Sequence, residues 1–262
     1  MGRHESTRGW YGKVVGAALG VALLAGGASV WTAQAGTEAQ ADTGTPAGNK
    51  APAAAPRTPV KPVDASIAHA SDAGARGLNL TIDDGPDPRW TPQVLELLRK
   101  HKVKATFCMV GPQARAYPDL VKKVVADGHR LCDHSVSHDT AMDKKSEAYQ
   151  KQQILDAERM ITEASGGVHP MYYRAPGGAF TPYSRKLAAD RGMRPLGWNV
   201  DSKDFERPGA STMVNTVERE LRNGPTILFH DAGGDRDQTV EALRRLLPRL
   251  LSQGYSFGFP IR

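Results

Sequence analysis

The sequence predicts an α/β fold, a parallel sheet with helices packed outside it, and three observations point there. From residue 77 onward, short apolar runs of strand length alternate with stretches of helical periodicity. The links between them are short, which suits strand–helix–strand crossovers. Polar residues able to do chemistry recur just after the strands, on the end where such folds place their functional face. Periodicity leaves open whether the sheet stays open or curls into a barrel.

The elements follow in order. Residues 78–82 form a short strand, and 91–101 carry Val94, Leu95, Leu97 and Leu98 at helical spacing. Residues 103–110 are a compact strand-length run, 118–127 a helix closed by Gly128, and 130–133 another short strand. A long amphipathic helix covers 146–164, with Ser146 as N-cap and Gly166 as the stop. Strands are expected at 171–174, 194–198 and 226–229, helices at 183–191 and 238–252, and a closing strand at 255–257. Trp90 and Trp198 read as core. Tyr172 and Tyr173 alternate faces, which leaves one of them free to line a groove.

Ahead of this domain, Arg3, Arg8 and Lys13 precede an uncharged apolar run over 14–30, and Ala33-Gln34-Ala35 follows it. Residues 1–35 therefore read as a secretory signal peptide. The alternative, an uncleaved membrane anchor, is weakened by four glycines and by a run short of the roughly 20 residues that cross a bilayer. Residues 36–76 are rich in Ala, Pro, Gly and Thr and hold no aromatic residue, so they are expected to be a disordered, extended linker. That leaves 77–262 as one domain, secreted or associated with the cell envelope. The net charge of +6 is spread along the chain without a basic block. Nucleic acid is therefore not an expected partner, whereas an anionic cell wall is compatible. Two cysteines exclude a Cys₄ zinc site.

Asp83 and Asp84 follow the first strand, Asp133 and His134 the third, and Arg174, Asp201 and His230 later ones. Each has a plain reading alone: a turn, a surface histidine, one end of an ion pair. Their shared position at one end of the sheet is what marks a site. His134 and His138 are spaced i, i+4, so one helical turn would aim both imidazoles at a common point. Two histidines and a carboxylate are a frequent catalytic metal set with a position left open. Asp84 is the candidate carboxylate, leaving Asp83 free as a base.

Five short segments carry a resemblance: Thr81-Ile82-Asp83-Asp84-Gly85-Pro86, His134-Ser135-Val136-Ser137-His138, Arg174-Ala175-Pro176-Gly177-Gly178, Asp201-Ser202-Lys203-Asp204-Phe205 and Leu228-Phe229-His230. In this order they resemble the NodB-homology polysaccharide deacetylases, carbohydrate esterase family 4. The resemblance implies a distorted, incomplete TIM-like barrel and a metal-dependent deacetylase of acetylated polysaccharide; the chain is expected to be a monomer. It implies that Asp84, His134 and His138 hold a divalent metal, Zn²⁺ first, with Co²⁺, Ni²⁺ or Mn²⁺ as alternatives. Asp83 would be the general base, held by Arg174, and His230 the general acid, oriented by Asp201. The Gly177 N–H would share the oxyanion, and Leu228 would border the groove for the acetyl methyl. Phe205 stands where the family usually has Trp, and Gly177 where it often has an aromatic residue, so substrate identity is more open than activity. Cys108 and Cys132 end neighbouring strands; buried free thiols are the plain reading, and export favours a Cys108–Cys132 disulfide. The leading function is removal of N-acetyl groups from a glucosaminyl polymer, peptidoglycan or chitin-type. The alternatives are O-deacetylation of acetylated xylan and a non-catalytic wall-binding module of the same fold.

Overall fold

The structure is a computed structural model that describes residues 60–262. The signal or anchor at 1–35 and the linker residues 36–59 lie outside the described residues. In chain order the elements are β1 (Gly77–Asp83), α1 (Thr91–His101), β2 (Thr106–Met109), α2 (Gly111–Ala116), α3 (Pro118–Ala126), β3 (Arg130–Asp133), α4 (Glu147–Ala164), β4 (Tyr172–Tyr173), α5 (Pro182–Asp190), β5 (Arg194–Pro195), β6 (Val200–Asp201), α6 (Ala210–Glu220), β7 (Thr226–His230), α7 (Asp237–Ser252) and β8 (Ser256–Gly258). The strands run in the order β5-β4-β3-β2-β1-β7-β6, all parallel, and β8 pairs with the first residues of β1. The curled sheet makes a half-barrel, in keeping with the expected incomplete barrel.

Alternation along the strands sorts the two faces. Leu78, Leu80 and Ile82 of β1, Phe107 and Met109 of β2, and Ile227 and Phe229 of β7 pack outward against Val94 and Leu98 of α1 and Leu243 and Leu247 of α7. Each such side chain contributes about 1.5–3 kcal/mol on burial. The intervening residues face inward and are polar or small. Asn79 Nδ2 donates to Thr226 Oγ1 (2.9 Å), and Cys108 packs with Cys132, Tyr172 and Leu196. The Cys108–Cys132 disulfide is present, joining register partners on β2 and β3.

Local signals account for the element ends. Lys102, left-handed at φ 55°, closes α1, and the Val103 N–H returns to the Leu98 carbonyl, so β2 starts at Thr106 rather than at 103. Ser146 Oγ accepts from the Tyr149 N–H and starts α4 as expected. Thr181 and Ser184 form a capping box on α5. The expected strand over 194–198 shrinks to two residues, and Trp198 is half-buried rather than core, whereas Trp90 is core. Both Tyr172 and Tyr173 are buried, so neither lines a groove.

Residues 60–76, expected within the linker, instead pack on the domain. The Val63 N–H donates to the Ala189 carbonyl (3.0 Å), Ala68 bridges Leu196 in parallel fashion, and Ser71 bridges Pro260. The small side chains of this segment suit close backbone contact: Ala68 is 6% exposed. Among the described residues no helix is long and apolar enough to cross a membrane.

Candidate active site

Sheet hydrogen bonding runs on past the strand ends and fixes the loops that carry the polar residues. The Asp84 N–H donates to the Cys108 carbonyl (3.1 Å), the His134 N–H to the Met109 carbonyl (2.9 Å) and the Arg174 N–H to the Asp133 carbonyl (2.9 Å). Three non-glycine residues here hold positive φ: Asp84 at 77°, Ser135 at 68° and His138 at 52°. L-residues adopt this region at a cost, and it persists where the surroundings over-determine it. The segment 134–138 is therefore a loop and not the helical turn that the i, i+4 spacing suggests. The left-handed residues bring the two imidazoles together instead, with ring centroids 5.0 Å apart.

Asp84 Oδ1 lies 3.6 Å from His134 Nε2 and 3.2 Å from His138 Nε2. One donor atom from each of the three residues falls within 4.8 Å of the others. Asp84 Oδ1 is buried and has no hydrogen bond. The His134 Nδ1–H donates to the Arg174 carbonyl (2.8 Å), which leaves the Nε2 lone pair pointing at Asp84. Burial opposes the Asp84 charge, but His138, His230 and His134 outweigh it and hold this carboxyl far below the usual range. Burial lowers the His134 imidazole and keeps it neutral, the form that ligates. An orphaned carboxylate oxygen facing two imidazoles fits a divalent metal.

Asp83 points into the half-barrel beside this cluster. Its Oδ1 accepts from Arg174 Nη1 (2.7 Å), and its Oδ2 lies 3.6 Å from His134 Nε2. Arg174 is fully buried, and its other donors reach Thr81 Oγ1 (2.8 Å) and the Leu196 and Gly197 carbonyls (3.2 and 2.8 Å). His230 is the register partner of Asp83 on β7, so the two lie side by side on the inner face. Its Nδ1 shares a 2.6 Å hydrogen bond with Asp204 Oδ1, and its backbone N–H donates to Asp204 Oδ2 (2.9 Å). Burial alone would lower His230, but the hydrogen bond and charge of Asp204 raise it to about 9.

The structure corrects the expectation for Asp201. Its carboxylate is occupied by Lys203, through Nζ (2.8 Å) and the backbone N–H (2.9 Å), and it makes no bond to His230. Lys203 takes the left-handed conformation (φ 60°), and the turn after it delivers Asp204 to the imidazole. The second acid of the Asp201-Ser202-Lys203-Asp204 segment was the available signal, but the strand-end rule favoured the first.

Around this centre, Phe205 is 49% exposed with its ring 5.9 Å from that of His230, and Leu228 is buried. Gly177 is exposed at φ 60°, a conformation glycine adopts at no cost, and its N–H makes no hydrogen bond among the described residues. Trp198 packs over Gly178 and stacks 5.6 Å from the Arg174 guanidinium. Sequence reasoning missed Thr81 and Trp198, because a strand threonine and a tryptophan among apolar residues look structural.

A family model described as polysaccharide deacetylase matches residues 70–196. The peptidoglycan-N-acetylglucosamine deacetylase of Bacillus cereus is 39% identical over 180 residues, covering 68% of this chain and 83% of the relative. The chain belongs to the polysaccharide deacetylase family. It is an enzyme of the NodB-homology class, carbohydrate esterase family 4, as its five segments imply. The chitooligosaccharide deacetylase of Sinorhizobium fredii is 37% identical, with 71% of this chain and 90% of the relative covered. The crystal structure of the Bc1960 peptidoglycan N-acetylglucosamine deacetylase superposes with a TM-score of 0.69 at 31% identity, covering 74% of this chain and 90% of that one. In this polysaccharide deacetylase the three clustered side chains Asp84, His134 and His138 are a possible metal site.

Proposed function

We propose that this deacetylase removes N-acetyl groups from a polymer containing N-acetylglucosamine, a peptidoglycan or chitin-type glycan, in the cell envelope. The observation that carries this reading is the pairing of Asp83 and His230 at one register level on neighbouring strands, with the Asp84-His134-His138 cluster beside them. The substrates named for the similar deacetylases support the glycan class. The buried disulfide and the N-terminal signal pattern support export to an oxidising compartment. A single chain supplies every group of the site, which suits a monomer.

Asp84, His134 and His138 would hold the metal, most suitably Zn²⁺ for a carboxylate and two imidazoles. When bound, it would act as a Lewis acid on the acetyl carbonyl and lower the pKa of water. Arg174 occupies one oxygen of Asp83 and leaves Oδ2 free to take a proton from the attacking water. The Gly177 N–H would donate to the developing oxyanion. An amine leaves poorly unless protonated, and His230, held cationic by Asp204 at neutral pH, supplies that proton. Leu228 and Phe205 would form the apolar sides of the groove.

An acid of this kind matters more to an amide than to an ester, which favours N- over O-deacetylation. Acetate release from N-acetylglucosamine oligomers and from acetylated xylan tests the choice. Turnover of the oligomers at least tenfold faster is expected, and faster release from xylan would overturn it.

A further inference from the structure

The mechanism above leaves a buried guanidinium without a task. Arg236, in the loop between β7 and α7, is 4% exposed. A guanidinium does not give up its proton, so burying one is tolerated only where neighbours hold its donors. Unlike Arg174, it makes no ion pair with a carboxylate within 4 Å among the described residues; its hydrogen bonds go to backbone carbonyls. Nε donates to the Ala232 carbonyl (2.6 Å), and Nη1 donates to the carbonyl of Asp204 (3.3 Å).

Those two acceptors belong to two separate stretches of chain. Ala232 lies two residues beyond His230, and Asp204 is the carboxylate that holds it. Arg236 thus ties the loop after β7 to the loop after β6 at the point where they meet in the His230–Asp204 pair. One turn further on, Thr239 is 1% exposed and its Oγ1 donates to Asp204 Oδ2 (2.9 Å). With these contacts both the carboxylate and the carbonyl of Asp204 are held. Gly233 completes the packing. At φ +75°, a Cβ there would come 3.2 Å from Arg236 Nη2 and 3.0 Å from Asp84 Oδ2, so glycine lets this loop close over both without strain.

We propose that Arg236, with Thr239, is a positioning residue for proton delivery to the leaving nitrogen. It clamps Asp204 so that the His230 ring stays turned with Nε2 toward the scissile bond. This rests on His230 being the acid. In that step the proton passes from His230 Nε2 to the amide nitrogen as the C–N bond breaks. The bonding electron pair stays on nitrogen, the sugar leaves as the amine, and the acyl carbon keeps the oxygen of water as acetate. The neutral imidazole is then reprotonated from solvent.

A proton donor is needed only when the leaving group is basic, and this gives the test. An N-acetylglucosamine oligomer must lose an amine, whereas 4-nitrophenyl acetate loses a phenolate that departs unaided. Arg236→Met should lower kcat on the oligomer by about tenfold or more, with KM nearly unchanged and turnover of 4-nitrophenyl acetate retained. Arg236→Lys, which keeps the charge and one donor, should recover part of the loss. Equal losses on both substrates would overturn the proposal, as would no loss on either. Should Arg236→Met fail to fold, Thr239→Val probes the same clamp and should show a smaller loss with the same substrate dependence. His230→Ala measured alongside separates the two ideas. If it leaves oligomer turnover intact, the acid assignment fails first.

Discussion

Asp83 and Asp84 are chain neighbours with opposite surroundings, and each side chain answers to its own contacts. Arg174 claims one oxygen of Asp83, whereas Asp84 Oδ1 lies against two imidazoles and has no hydrogen bond. Asp83→Asn should therefore abolish acetate release while metal stoichiometry, read by elemental analysis, stays unchanged. His134→Ala should instead lower the stoichiometry. Asp204→Asn should cost about 10²–10⁴ in kcat, the range of general acid–base catalysis, while Asp201→Asn stays within a few-fold. The same pair sets a pH dependence. The Asp204 contacts raise His230 from its ordinary value of about 6.5 to about 9, so the stability they contribute is fully present below about pH 6.5 and is lost as pH rises through about 9. Denaturant titration of metal-free protein at pH 6.5 and 10 should show that loss, and His230→Gln should lack it.

At the scale of elements, the outer face of each strand was legible, whereas on the inner face the reacting residues were legible and their contacts were not. Leu78, Leu80, Ile82, Ile227 and Phe229 announce buried strands because they pack on helices, and α1, α4 and α7 fall within a residue or two of their expected bounds. The helices α2 and α6 were missed. The first is a single short stretch opening on Gly-Pro, and the second is built on Ser, Thr, Val and Asn, which carry weak helical preference. The motif residues revealed which groups cluster, but the loop conformation that clusters them depends on tertiary hydrogen bonds. That is why segment 134–138 and the choice between Asp201 and Asp204 could not be read in advance. Arg174 shows the energetic side of this inner face. Its guanidinium binds β1 and the segment after β5, so Arg174→Met leaves Asp83 buried without its partner. Stability should fall by about 3–5 kcal/mol in denaturant unfolding, more than any exposed ion pair is worth.

For the whole molecule, the chain ahead of β1 belongs to the fold from residue 60 onward. Ala-rich composition made residues 60–76 look like tether, yet small side chains are what allow Ala68 to lie against Leu196 and Ala70 to accept from Asn79. Composition reports what a segment can bury by itself and is silent on what it covers when laid against a finished surface. A protein starting at residue 60 should melt as a single cooperative unit. One starting at 77 loses the Ala68–Leu196 and Ser71–Pro260 bridges and should melt several degrees lower, as calorimetry would show.

The register between β1 and β7 has a consequence for how such a protein tolerates change. Asp83 and His230 face each other because Leu80 and Ile227 do, through the same ladder that seats the apolar side chains. Adding or deleting one residue in either strand would turn its greasy side chains toward the catalytic hollow and its acid or base toward the helices. Insertions belong in the rim loops, where they reshape the groove and leave the reacting groups where they stand.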